Sequence, residues 1–139
     1  MKVIIDANIL FSAQYKPHSL AGDLIVLAIK EKVHLFAPES VKEEIIRKLR
    51  AKLHYNNEEI ARTLESLPVR WIEEQIYSLK LPDAKDYITH EADEPLIACA
   101  LTEQMAIVTG DKHFHPLLKS GILVWKLKDL LDHIAGETS

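Results

Sequence analysis

Four acidic side chains carry the chemistry that this sequence is equipped to do. Asp6 closes the apolar run of "VIIDANILFSA", Glu44 lies in "SVKEEIIRKL", Asp93 in "EADEPLIACAL" and Asp111 in "IVTGDKHF". Each also has a local explanation. Asp6 suits the cap of a helix starting at Ala7, and Asp93 the cap of a helix whose first turn tolerates Pro95. Glu44 suits an exposed helix charge paired with Lys48 four residues on, and Asp111 an ordinary turn. The set points elsewhere. Carboxylates sharing one crevice repel, titrate as a coupled group and are held together by a divalent cation. Magnesium and manganese prefer oxygen ligands, keep several waters and bind through a few carboxylates together with substrate phosphates. Such a site cleaves phosphodiesters.

The elements that must position these acids follow from the apolar pattern. Val3 to Ile5 is continuously apolar, as in a strand covered on both faces. Ser19 suits an N-cap before Leu20, Leu24, Leu27 and Ala28 at helical spacing, and "HLFA" (34–37) gives a second strand. Pro38 suits the first turn of the next helix, whose stripe is Val41, Ile45, Leu49 and Leu53. A helix from Asn57, with Ile60 and Leu64, stops at Pro68. "VRWI" (69–72) then reads as a strand better suited to an edge than a centre. A helix from about Asp93 to Glu103 leads into "MAIVTGD", which repeats the opening pattern of apolar run, polar turn and aspartate. "GILVW" (121–125) is the fifth strand, and Leu127, Leu130, Leu131 and Ile134 mark a last helix that Gly136 would end.

This alternation, with no long linker, repeat or low-complexity tract, predicts one domain over residues 1–139. Its fold is a three-layer α/β/α sandwich with a central, mostly parallel five-stranded sheet. In the order 3-2-1-4-5, strands one and four are neighbours. Asp6 and Asp111 then meet at the carboxyl edge, where connections diverge and ligands bind.

Composition narrows the partners. At 139 residues and 47% apolar content the chain can bury one sizeable core. A net charge of −4 excludes gripping nucleic acid by bulk electrostatics, so any such contact is local. "RKLRAK" supplies Arg47, Lys48, Arg50 and Lys52 on the helix that carries Glu44, as phosphate contacts or as a solvated face. The lone Cys99 sits in an apolar run and reads as a buried hydrophobe in a reducing interior. Apolar runs stay far below the ~20 residues that cross a bilayer, which predicts a soluble cytoplasmic protein with no membrane contact. His113 and His115 have the spacing of a metal clip, but imidazole is not magnesium's usual partner, and loop histidines are the simpler reading.

"DANIL", "SVKEEI", "DEPLIACAL" and "IVTGDKHF", in this order and spacing, resemble the acidic blocks of the PIN-domain family (PilT N-terminus-like) of metal-dependent ribonucleases. The resemblance spans nearly the whole chain. It implies that Asp6, Glu44, Asp93 and Asp111 are the acidic metal-site residues, holding Mg2+ or Mn2+, with Asn8 and Thr109 as supporting polar groups. Glu44 is preferred to Glu43 because the family places an apolar residue, here Ile45, after the glutamate; helical periodicity leaves both open. Glu91 and Glu94 crowd Asp93 and could reach the ion through water. After "TGD" the family often has an acid two positions on, where this chain has His113, a departure that bears on metal number and affinity. The implied reaction is RNA hydrolysis, an ion activating water for in-line attack, to a 5′-phosphate and a 3′-hydroxyl. Many small members, VapC-type proteins among them, are toxins of toxin-antitoxin pairs. The resemblance therefore also implies an antitoxin partner, and segment 54–82, with Tyr55, Trp71 and Tyr77, offers apolar surface for it or for a homodimer.

Other readings of the same pattern fit less well. A receiver domain needs an acidic pair after strand one and a lysine after strand five, neither of which is evident. A haloacid-dehalogenase-type phosphatase needs Asp-x-Asp where this chain has Asp6 and Asn8. The rival from another class is a PIN-like module that binds RNA or protein without catalysis.

Overall fold

Val3, Ile4 and Ile5 are all fully buried. Because successive side chains of a strand point to opposite faces, both sides of the sheet must be covered there. The computed structural model, which describes residues 1–87, 93–110 and 121–137, shows how. Its sheet comprises β1 (Lys2–Ile5), β2 (His34–Pro38), β3 (Val69–Ile72), β4 (Ala106–Thr109) and β5 (Val124–Lys126). The order is β3-β2-β1-β4-β5 and every pairing is parallel. The expected topology is present, β3 lying at one edge as its Arg70 and Trp71 suggested.

The helices are α1 (Ala7–Tyr15), α2 (Leu20–Ile29), α3 (Glu39–Leu53), α4 (Asn57–Ser66), α5 (Glu74–Tyr77), α6 (Leu81–Ala84), α7 (Glu94–Glu103) and α8 (Leu127–Glu137). They fall into two groups. In one, α1 packs against α2 and α3, α2 against α8, and α3 against α4. In the other, α7 lies on β1, β2 and β4 and is flanked by α5 and α6. These are the outer layers of an α/β/α sandwich. Leu10, Leu24, Ile45, Leu49, Ile97 and Leu130, all fully buried, carry the apolar stripes that join helices to sheet.

Local signals set most boundaries. Asp6 Oδ1 accepts from the Ile9 amide at 3.0 Å and starts α1. Ser19 Oγ accepts from Gly22 N at 3.3 Å and starts α2. Asn56 and Glu59 form a reciprocal capping box at α4. Lys30 to Val33 link α2 to β2, with Glu31 in the left-handed region at φ 61°.

Three boundaries differ from expectation. Pro38 stands before the first turn of α3 rather than in it, because β2 remains paired as far as Pro38 against Ile72. The fifth strand is Val124–Lys126, not 121–125, because β4 begins only at Ala106 and offers Ile107 to Thr109 as partners for Val124 to Lys126. Gly136 does not end α8, which continues to Glu137; an internal glycine weakens a helix by about 1 kcal/mol without breaking it. The aromatic residues of segment 54–82 also turn inward. Tyr77 is buried and Trp71 and Tyr55 pack on the core, so the exposed apolar side chains there are Ile76 and Leu79.

Candidate functional site

β1 and β4 pair through Ile5 and Val108, so the residues that follow, Asp6 and Thr109, emerge side by side at the carboxyl edge of the sheet. Asp6 is only 6% exposed and Thr109 3%. Thr109 Oγ1 donates to Asp6 Oδ2 while Oδ1 caps α1, so both carboxylate oxygens are held and the side chain has a fixed orientation. Capping and site placement coexist at Asp6. A carboxylate is tolerated at this depth because charge-assisted bonds compensate for its lost hydration.

Beside it opens a cleft of about 300 Å³ lined by Asp6, Asn8, Ser40, Glu43, Glu44, Arg47 and Asp93, with Ala7, Val41, Pro95 and Leu96 as its apolar walls. Ser40, Glu43, Glu44 and Arg47 share one face of α3 by their i, i+3, i+4, i+7 spacing. Glu43 and Glu44 both reach the cleft, so the structure leaves the pair open, as periodicity did. Asp93 stands at the N-terminus of α7 but makes no side-chain cap bond to that helix. The local reading of Asp93 as a cap therefore does not describe its carboxylate, which lies against the cleft.

Glu44 has the partner that its spacing suggested. Lys48 Nζ lies 3.3 Å from Glu44 Oε1, and Arg47 reaches the same oxygen at 3.9 Å. The Lys48 ammonium also donates to Asn8 Oδ1, tying α1 to α3 across the cleft. Among the described residues, no three carboxylate, imidazole or thiol groups converge closely enough to form a ready-made ion site. Asp111, the fourth acid, lies outside the described residues, as do Glu91, His113 and His115. The cleft presents hard oxygen donors, with no histidine or cysteine among the described residues lining it. That donor chemistry fits magnesium or manganese rather than zinc or copper.

A sequence profile for the PIN domain matches residues 4–135. The chain belongs to the PIN-domain family. Solved structures of similar fold include a toxin-antitoxin complex from Klebsiella pneumoniae, at 16% identity and TM-score 0.68 over 90% of this chain and 97% of that one. VapBC2 from Rickettsia felis, bound to a DNA fragment from its promoter, aligns at 18% identity and TM-score 0.64 over 90% and 98%. PAE2754 from Pyrobaculum aerophilum does so at 18% and 0.61 over 98% and 90%. A search of curated proteins finds no match.

The basic residues of this PIN domain separate in space. Arg47 lines the cleft and Lys48 contacts two of its lining residues, Asn8 and Glu44, whereas Arg50 donates to Asn57 Oδ1 at 2.8 Å, and the Lys52 ammonium sits 5.6 Å from the centre of the Phe11 ring. Neither Arg50 nor Lys52 lines the cleft. Glu94 is in the first turn of α7 and is likewise not a lining residue. Ser40 escaped sequence reasoning. It lines the cleft, and the nearby phenol of Tyr77 is pushed up by burial, with Ser40 acting in the opposite direction. Nothing in the local sequence around Ser40 or Tyr77 signals their proximity, which spans α3 and α5. Cys99 is fully buried in α7, its thiol pushed up to about 12 by burial and then by the charge of Glu103. It is a core residue. No described helix is long and apolar enough to cross a membrane.

Proposed function

We propose that this PIN domain is a divalent-metal-dependent endoribonuclease, with Asp6, Glu44, Asp93 and Asp111 as its metal-site acids. The observation that carries this reading is the placement of Asp6. A carboxylate is fixed by Thr109 and the Ile9 amide at the carboxyl edge of a parallel sheet, beside a cleft that Glu43, Glu44 and Asp93 also line. Asp6, Asp93 and Glu44 would hold Mg2+ or Mn2+, with Asp111 completing the set. The bound ion would polarise a phosphate oxygen and lower the pKa of an attacking water. Thr109 keeps the Asp6 carboxylate oriented, and Asn8 anchors Lys48. Arg47, exposed at the rim, is suited to a neighbouring phosphate of the RNA. No side chain needs to act as a nucleophile.

We further propose that the protein acts in the cytoplasm as the toxin of a toxin-antitoxin pair, as a homodimer bound by its antitoxin. The support is the fold shared with the Klebsiella complex and the Rickettsia VapBC2 assembly.

The decisive experiment is cleavage of end-labelled single-stranded RNA with Mg2+ or Mn2+, against a chelator control and the Asp6→Asn and Asp93→Asn variants. Cleavage that both variants retain would overturn the site. Pure protein that binds Mn2+ and RNA but never cleaves would favour the non-catalytic binding module.

A further inference from the structure

Glu44 occupies a contested position. It is one of the acids bordering the cleft, yet its carboxylate is drawn to Lys48 at 3.3 Å and Arg47 at 3.9 Å. The two cations are not equivalent. The Arg47 side chain is 74% exposed, whereas that of Lys48 is 16% exposed, and its ammonium is fixed from a second side by Asn8 Oδ1. Lys48 is thus a positive charge held against two of the residues that line an acidic cleft, Asn8 and Glu44. It bridges the first turn of α1, where Asn8 follows Asp6, to the middle of α3. Among the described residues the acids do not already converge on one point.

We propose that Lys48 is a resident counter-ion that competes with the divalent ion for Glu44, so that metal entry requires Glu44 to exchange an intramolecular ammonium for the ion. The proposal rests on the metal-dependent reading above. A unit charge at this distance opposes the ion in two ways: it occupies a ligand oxygen, and it repels a second cation from the low-dielectric side of the cleft. It also offsets the mutual repulsion of Asp6, Glu43, Glu44 and Asp93 when no ion is bound. The effect on the metal-free fold and the effect on affinity therefore have opposite signs. Removing the charge destabilises the metal-free protein and strengthens ion binding.

Three variants separate charge from contact. Lys48→Gln loses the charge but keeps a donor for Asn8, Lys48→Met loses both, and Lys48→Arg keeps the charge. The measurement is calorimetric titration of Mn2+ into chelator-stripped full-length protein without RNA, paired with thermal melting with and without Mn2+. Lys48→Gln and Lys48→Met should both bind Mn2+ about two- to fivefold more tightly, matching the worth of a partly exposed ion pair. Both should melt lower when stripped and gain more from added Mn2+, while Lys48→Arg stays within about twofold of the wild-type affinity.

If Lys48 only orients Glu44, Lys48→Gln would match wild type and Lys48→Met would bind more weakly, which overturns the proposal. Unchanged affinity in both neutral variants overturns it as well. Failure of the underlying reading looks different: wild type would not bind Mn2+, or Glu44→Gln would bind it as wild type does. Far-UV circular dichroism establishes that each variant is folded, and Lys48→Gln, with its retained bond, serves if Lys48→Met is not.

Discussion

Asp6 caps α1 and is proposed as a metal ligand, two roles that one pair of substitutions separates. In Asp6→Asn the side-chain oxygen still accepts from the Ile9 amide, and asparagine caps helices about as well as aspartate. Its amide group then faces Thr109 Oγ1, which can reverse from donor to acceptor. Replacing a bond to a charged acceptor by a neutral one costs about 1 kcal/mol. Relief of repulsion from Glu43, Glu44 and Asp93 offsets that cost, so the net change is within about 1 kcal/mol. Asp6→Ala is different. It loses the cap, about 1 kcal/mol, and the charge-assisted Thr109 bond, about 1.5–3 kcal/mol. After the same relief of repulsion, the expected loss is about 2–3 kcal/mol.

Urea unfolding of chelator-stripped protein measures both, provided the slope of the transition is unchanged, since a changed slope would mean an altered unfolded state. Mn2+ titration provides the second axis. Asp6→Asn should keep its unfolding midpoint and lose measurable ion binding. An Asp6→Asn protein as unstable as Asp6→Ala would refute the capping argument. One that is stable and binds Mn2+ like wild type would refute the assignment of Asp6 as a ligand.

Three further outcomes follow from the core. Cys99 and Tyr77 both titrate above their ordinary values, so the native state holds their protons more tightly than the unfolded chain does. Their contribution is intact below pH ~9 and is lost as pH rises toward the folded value of about 12 at Cys99, by up to ~1.4 kcal/mol per unit per group. Denaturant midpoints measured from pH 8 to 11 should therefore fall, and fall less steeply in Cys99→Ala. In native protein the Cys99 thiol should be silent to a thiol-specific dye and react only on unfolding, since it is fully buried. Gly22→Ala should destabilise by roughly 1–3 kcal/mol, because its Cβ would lie 1.9 Å from the Pro17 carbonyl oxygen and neither backbone segment can move freely; thermal melting reads this directly.

Residue order alone determined the strands and the longer helices, but not the short α5 and α6 or the capping box of α4. The unbroken apolar run Val3 to Ile5 required a strand covered on both faces, and Asp6, Ser19 and the 3.6-residue stripes fixed where helices begin and which side they bury. The strand-helix alternation then left few parallel topologies, and the order found is the one it implied. Boundaries that depend on a partner were not legible. The start of β5 is set by where β4 begins, and the place of Pro38 by how far β2 pairs with β3.

The site divides in the same way. That the ends of strands one and four meet was legible in the sequence, because neighbouring parallel strands end at the same edge; that Thr109 is the residue beside Asp6 is set by the register. Contacts between elements distant in the chain depend on how helices pack and which rotamers that packing permits. Tertiary structure alone decided that Ser40 lies near Tyr77, that Arg50 turns to α4 and Lys52 to Phe11, and that Lys48 bridges Asn8 and Glu44. A sequence records which charges lie on a helix; only packing determines which of them face the cleft.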